Sequence, residues 1–585
     1  MERIKSMCSF IFKNIFEKFF SSWLIASAAV LIFQEGAISI ENTDVFSFII
    51  LFFIAFSAIC CIHKISEKYL NAILVLSVLV FSLSVLVRSN NIYVFIVLGI
   101  LLAIALYHYQ NGKGKIGIQV THVKEIIFIS VCFIIFFSVV TAVSVLRYLN
   151  YATPNYDFGI FCNMFHNMRE SFSPVTTCER DRLLSHFAVH FSPAVYIFLP
   201  FYYIFPSPVT VAVCQTVAIY SGLIPFVLIM KNRKIDSLVI CLFSVVFMAN
   251  TAFSMGCSYD FHENCLLVPF LMWMIYFYEK NKTPFVFLFA LLTLMVKEDA
   301  FIYVAVFAAF LVVSNKDWKR GVPLAVLAVA YFILAAWHIN TYGLGIMSGR
   351  FDIMIDGDDG LFGIVKTVLA NLGYTVSMIF TTKEGTAEKL IYFIQMLCPL
   401  GFIPLFTKKP SRLILVLPIL LNLLTDYAYQ YDISFQYGFA MTVLMMYVCV
   451  LDINDAPAEK KRLVPAIAAG LSVMMFFMCI IPSFTKNIKN SSENKEMYNE
   501  IDAVLSGIDE DAVVCASTFF LPHLAQREEI YEVHYTKHSD FDYIILDYRP
   551  AYKDGSMQFA EKFKEYGYVQ VDSGSEYVGM FVRPE

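Results

Sequence analysis

The feature that most constrains this chain is the recurrence, along most of its length, of apolar runs of about 15 to 23 residues, the length a helix needs to cross a hydrocarbon layer about 30 Å thick. Lipid offers the backbone no hydrogen-bond partners, so runs of this length must be helices; a membrane barrel would alternate apolar and polar positions instead. Composition agrees, with 58% of the 585 residues hydrophobic, 16% charged and a mean hydropathy of +0.65, outside the soluble range. The chain reads as an all-α polytopic membrane protein. Its net charge of -5 forms no basic stripe, which argues against nucleic acid as a partner. Most of the 14 cysteines, among them Cys60, Cys61, Cys214, Cys241, Cys398, Cys449 and Cys479, sit in apolar runs where a thiol acts as a small hydrophobe, so no disulfide framework is expected. The opening "MERIKSMCSFIFKNIFEKFFSSWLIASAAVLIF" is basic and then apolar, and it reads as a retained anchor because further spans follow without a clean cleavage site.

Basic loops stay cytoplasmic, so Lys and Arg assign sides to the loops. With Arg3, Lys5, Lys13 and Lys18 inside, spans at 20–35, 45–62, 70–87 and 92–107 return the chain inside at "HYQNGKGKIGIQVTHVKE", and a fifth at 126–147 delivers "YATPNYDFGIF" outside. The outer loop 148–192 leads into "FSPAVYIFLPFYYIFPSP", whose Pro193, Pro200, Pro206 and Pro208 suit an interfacial or re-entrant segment better than a crossing. Spans at 209–230, 237–253 and 264–279 follow. The stretch 284–314 carries "KEDA" at its centre, and one long helix would bury three ionisable residues at mid-membrane. That costs about 2.5 to 3.5 kcal/mol each, so two short spans with "KEDA" on the outer side are expected. Span 321–338 exits to a second outer loop, 339–388, in which "GLFGIVKTVLANLGYTVSMIF" reads as a surface-lying helix. Spans at 389–406, 412–424, 436–452 and 463–482 complete about fifteen and leave the C-terminus outside.

The last hundred residues mix charge into short runs. "DAVVCAS", "DYIILDY" and "GYVQVDS" predict strands, while "TFFLPHLAQR" and "GSMQFAEKFKEYG" have helical spacing. Three regions follow: 1–125, a four-helix transmembrane extension; 126–485, a transmembrane core with outer loops 148–192 and 339–388; and 486–585, a small soluble α/β extracytoplasmic domain.

The unusual polar residues fall almost entirely on the outer side: Asp157 and Asn163; Arg180, Asp181, Arg182, His186 and His190; Asp260, His262 and Glu263; and Lys297, Glu298 and Asp299. Ionisable groups at the rim of an apolar bundle are costly unless paired or wetted, so their convergence predicts a shared cavity. Each has a plainer reading. Asp157 after "PN" would also cap the next helix. His186 and His190, four apart, would share a metal on one helix face, or are ordinary interfacial histidines near Pro193. Asp260, His262 and Glu263 are pocket residues or a solvated loop capping the next span, and Lys297 and Glu298 are site residues or simply neutralise each other. Phe158, Phe161 and Phe165 border a lipid or sugar or merely face the membrane, and Tyr429, Tyr431 and Gln436 border a pocket or form an aromatic belt.

Taken in order, "YDFGIF", "HFSPAVYIFLPFYYIFPSP", "FHEN", "KEDA", "LPHLAQREEIYEV" and "DYIILDY" resemble the bacterial family of predicted membrane proteins called domain of unknown function two-thousand-and-seventy-nine, a family similar in plan to the GT-C glycosyltransferases. The resemblance spans 126–585. It implies a GT-C-like plasma-membrane enzyme, N-terminus cytoplasmic, that moves a sugar from a polyprenyl-phosphate donor to an acceptor on the outer face. Asp157 lies where such enzymes carry their base. Arg180, Arg182 and Lys297 are candidates for the lipid phosphate, and His186, His190, Asp260, His262, Glu263 and Glu298 for other substrate contacts. The sequence departs from the GT-C pattern in that the first outer loop, which carries Asp157, has no member-defining "DD" or "DE" pair, so a divalent cation stays an open cofactor. The rival readings are a multi-pass transporter, which would hold ionisable groups at mid-span and show repeated halves, and a catalytically inactive membrane binding or assembly factor.

Overall fold

Several of the long helices begin where a short polar side chain takes up a free N–H group. Asp44 accepts from Ser47, Asn91 from Tyr93 and Val94, Thr121 from Lys124 and Asp236 from Leu238, while Asn250, inside the span that Asp236 opens, accepts from Ala252 where the short helix Thr251–Ser258 restarts it. The structure, a computed structural model, describes residues 13–33, 38, 44–66, 69–112, 118–343, 345, 349–355 and 360–584. Arg3, Lys5, Lys113 and Lys115, used above to assign the inner side, lie outside these residues. Lys18, another of that set, is buried within helix Ile15–Phe33.

Among the described residues nine helices are long and apolar enough to cross a membrane. They are Ile15–Phe33, Val45–Ile65, Ile92–Asn111, His122–Leu149, Pro208–Asn232, Ser237–Ser258, Trp318–Tyr342, Gln436–Asp455 and Lys460–Glu493. The other expected spans are shorter or broken. Leu70–Leu86 has 17 residues, Leu267–Glu279 has 13, and the "KEDA" region divides, as its charge required, into Thr283–Leu294 and Phe301–Val313. The region 389–406 is helical only over Glu388–Leu397 and then breaks around Pro399, Pro404 and the left-handed Gly401 and Phe402. In 412–424, Pro410 and Pro418 limit the α-helix to Ile419–Leu423. The single surface helix expected in loop 339–388 is two, Gly360–Ala370 and Leu372–Phe380, bent by 106° at Asn371, which caps the second. Pro193–Phe198 and Leu199–Ile204 together are too short to span, as their prolines indicated.

Helix Phe439–Asp455, buried along almost its whole length, forms the centre of the bundle. The N-terminal helices reach it through Lys460–Cys479, where a side chain on Gly99 would come within 2.8 Å of Leu471 and one on Gly470 within 2.5 Å of Leu102. Small residues allow this approach where the hydrophobic effect gives helices no reason to associate.

The first loop carries a small hairpin, β1 (Val175–Thr176) and β2 (Leu184–Ser185). The last span is apolar over Lys460–Cys479 and is prolonged by a polar helical stretch, Ile481–Glu493, after which helix Lys495–Leu505 leads into a five-stranded sheet. Its strands are β3 (Val514–Ala516), β4 (Ile530–Glu532), β5 (Tyr543–Asp547), β6 (Val569–Val571) and β7 (Val578–Val582), in the order β4-β3-β5-β7-β6, with β3 parallel to β4 and β5 and the remaining pairs antiparallel. The sheet is anchored to the first loop. Tyr151, at a positive φ of 52°, stacks on His523 at 3.8 Å between ring centres; its hydroxyl donates to Asp502, and Arg549 donates to its carbonyl at 3.0 Å. Asn163 donates to the Arg527 carbonyl at 2.7 Å, and Thr177 accepts from the Ile530 amide at 3.0 Å. The sheet therefore lies directly over residues 151–177.

Candidate functional site

Just past helix His122–Leu149, Pro154 sets up a single π-helical turn, Asn155–Gly159, ahead of helix Ile160–Ser171. Such wide turns recur at functional sites. This one is fixed from both sides. The Asn155 amide donates to Thr518 Oγ1 at 3.0 Å and its side chain to Glu532 Oε2 at 2.8 Å, while a side chain on Gly159 would lie 2.6 Å from Asn155 Oδ1 and 2.7 Å from Leu521. The turn presents Asp157 to a cavity of about 440 Å³. Sharing the lining are Tyr156, His190, Tyr259, His262, Lys297, Arg350, Tyr427, Tyr429, Phe435, Gln436, Tyr437 and Tyr535. Tyr535 comes from the C-terminal region, and its hydroxyl meets that of Tyr156 at 2.7 Å.

The neighbouring acids are matched. Arg147 lies 3.3 Å from Asp260 and donates to the Ser258 carbonyl at 2.6 Å. Glu263, fully buried, has Lys297 at 3.2 Å on one oxygen and His262 Nδ1 at 3.0 Å on the other. Glu298 takes His190 Nδ1 at 2.9 Å and the Phe191 amide at 3.1 Å, so it is not the partner of Lys297. Glu179 takes His186 Nδ1 at 2.9 Å. Among the described residues the Asp157 carboxylate accepts no hydrogen bond and forms no ion pair, and it caps no helix. Burial, then the nearby Asp260 carboxylate, push its pKa up to about 7 against the pull of Lys297. Burial likewise raises Asp260 to about 6, with Arg147 opposing. Burial would raise Glu263 too, but His262 and Lys297 outweigh it and hold that carboxyl well below its ordinary range. Burial lowers His262 to about 4 despite the pull of Glu263. Lys297 is held above its usual value, because Glu263, Glu298 and Asp299 overcome the effect of burial.

Of the residues singled out from the sequence, Asp157, His190, His262 and Lys297 meet in this cavity, with Asp260, Glu263 and Glu298 buried or half-buried directly behind them. His186 is buried at the side, 5.8 Å between ring centres from His190, and each imidazole turns to its own carboxylate. Arg180 and Arg182 lie outside the cavity lining; Arg180 donates to the Glu179 carbonyl at 2.8 Å and Arg182 is exposed. Phe158, Phe161 and Phe165 form core beneath the site, Phe161 packing edge-on against Phe261 at 4.8 Å. Tyr429 and Gln436 reach the cavity and Tyr431 does not. Among the described residues no group of three or more His, Cys, Asp or Glu is placed to hold a metal ion.

Two important residues escaped the sequence reading. Arg350 lines the cavity, its guanidinium 4.4 Å from the centre of the Tyr427 ring and 3.1 Å from the Tyr437 hydroxyl. Gln215, inside an apolar span, holds the Asp260–His262 backbone by donating to the Asp260 carbonyl at 2.9 Å and accepting from the His262 amide at 2.7 Å. Arg350 sat in a long loop with no motif around it. Gln215 had a signal, since an amide in a membrane span needs a partner.

These features define a multi-pass helical membrane protein with a charged cavity at the ends of its spans, bordered by its own C-terminal sheet region. The chain belongs to the family described as predicted membrane protein (DUF2079), which it matches over residues 145–577. Similar solved structures include ArnT from Cupriavidus metallidurans bound to undecaprenyl phosphate, at 9% identity and a TM-score of 0.46, covering 79% of this chain and 99% of that one. ArnT from the same organism in the apo state is similar at 11% identity and a TM-score of 0.38, with the same coverage. No curated protein matches the chain.

Proposed function

We propose that the protein is a GT-C-type glycosyltransferase of the plasma membrane, moving a sugar from a polyprenyl-phosphate donor to an acceptor at the extracytoplasmic face. One observation carries the reading: Asp157, unpaired and with a pKa near 7, shares a cavity with two cations, Lys297 and Arg350. A lipid phosphate is already a competent leaving group, so a general acid is not needed. What the reaction needs is a base for the acceptor hydroxyl and positive charge for the departing phosphate. Asp157 takes the acceptor proton, the acceptor oxygen bonds to the anomeric carbon, and the bond from that carbon to the phosphate oxygen breaks. Lys297 meets the phosphate as a point charge and Arg350 as a planar fork. A single displacement of this kind inverts the anomeric centre. The cavity tyrosines have both apolar faces and hydroxyls for a sugar ring.

The test supplies labelled polyprenyl-phosphate-linked hexose and pentose donors to membranes containing the protein and follows release of polyprenyl phosphate. Asp157→Asn is expected to slow release by about 10²- to 10⁴-fold, the usual weight of a general base. Release at the wild-type rate would remove Asp157 from the mechanism.

A further inference from the structure

A second cavity, of about 270 Å³, opens in the C-terminal sheet and shares no lining residue with the first. Ser517 and Phe519 reach it from just after β3, His534 from after β4, Asp547 from the end of β5, and Tyr552 and Ser556 from the start of helix Lys553–Glu565. It therefore lies at the carboxyl ends of the three parallel strands. It also lies where the topology reverses: the chain leaving β3 goes to β4 on one side, and the chain leaving β5 goes to β7 and β6 on the other. Connections that diverge in this way leave the crevice in which open α/β sheets bind ligands.

The side chains inside specify the ligand. Ser556 is 7% exposed, and among the described residues its hydroxyl has no hydrogen-bond partner. Ser517, 5% exposed, accepts from the Asp547 amide at 3.0 Å and has no acceptor for its own proton among the described residues. Asp547 is neutralised by Arg549, whose Nε and Nη2 donate at 2.9 and 2.6 Å, so no unmatched cation faces the cavity. An anion would find no spare cation here, because the Arg549 charge is already matched by Asp547; an uncharged polyol would find acceptors and donors together. Phe519 and Tyr552, 4.9 Å apart between ring centres, add an apolar wall. The volume is below the roughly 300–1,000 Å³ of pockets for drug-sized ligands, which limits the occupant to about one ring.

We infer that this crevice binds one uncharged, hexose-sized sugar ring, with Ser517, Ser556 and Asp547 bonding its hydroxyls and Phe519 and Tyr552 covering its C–H face. The site does not depend on Asp157. It is nonetheless joined to that residue's turn, because Thr518, which also lines the crevice, accepts from the Asn155 amide.

The test is saturation-transfer NMR on the full-length protein in a sugar-free detergent, with the methyl glycosides of glucose, galactose, mannose and N-acetylglucosamine. At least one should bind, and Ser556→Leu, which fills the crevice, should weaken it by at least about tenfold at an unchanged melting temperature. Should Ser556→Leu fail to fold, Ser556→Ala removes only the hydroxyl and should weaken binding about three- to tenfold. Asp157→Asn should bind as the wild type does, which separates this site from the proposed reaction. The inference is overturned if no glycoside binds, if the folded Ser556 variant binds with wild-type affinity, or if inorganic phosphate displaces the glycoside.

Discussion

Asp157 has a folded-state pKa of about 7, against an ordinary 3.8, because it is buried beside Asp260 with no partner of its own. The folded protein thus holds this proton more tightly than the unfolded chain does. The stability this group contributes is full below about pH 4 and declines as pH rises toward 7, after which the ionised carboxylate opposes folding. Asp157→Asn removes that opposition. Scanning fluorimetry should find the variant melting at or above the wild type at about pH 8, and the two converging near pH 4; a variant that melts lower at pH 8 would mean the carboxylate has a stabilising partner. At this scale the sequence was informative where chemistry is expensive. His262, Lys297 and Asp157 stood out because ionisable groups at the rim of an apolar bundle are costly unless paired or wetted, and the structure brings them to one cavity. Arg180 and Arg182 carried the same signal and lie elsewhere, since charge at a rim does not say which way a side chain points.

Among the elements, the π-helical turn Asn155–Gly159 does the positioning, and Gly159 is what lets it close. A methyl group there meets both Asn155 and Leu521. Gly159→Ala should therefore displace the turn, at about 1–3 kcal/mol for an overpacked contact, and slow polyprenyl phosphate release although it touches no substrate. An unchanged rate would show that the turn has room to relax. The division at "KEDA" was legible because three buried ionisable residues at mid-membrane would cost too much. The breaks near Pro399, Pro404 and Pro418 were less so, since prolines are tolerated in membrane helices when neighbours satisfy the freed backbone groups. In the C-terminal region β3, β5 and β6 were visible as apolar runs, while β4 is only three residues beside acidic neighbours and β7 carries Gly579, over which the Tyr548 ring packs. Neither of those strands announces itself by alternation.

For the whole molecule, the first loop, the "KEDA" break and the C-terminal sheet all gather on one face of the bundle, and the account puts that face outside the cytoplasm. Arg182→Cys and Glu576→Cys should both react with a membrane-impermeant maleimide on intact cells; reaction only after lysis would invert the orientation. The convergence was legible from the sequence because alternating basic loops sort polar residues by side. The contribution of the C-terminal residue Tyr535 to the cavity was not, because 379 positions separate it from its partner Tyr156. The most direct test of the account is the pH dependence of polyprenyl phosphate release from a lipid-linked sugar donor between about pH 5 and 9. The base must be ionised to act, so the rate should climb with a midpoint near 7, the value set by burial and Asp260, and this rise should vanish in Asp157→Asn. A wild-type rate that is flat across the range, or a variant that keeps both the rise and the rate, would contradict the assignment of this cavity as the site of transfer.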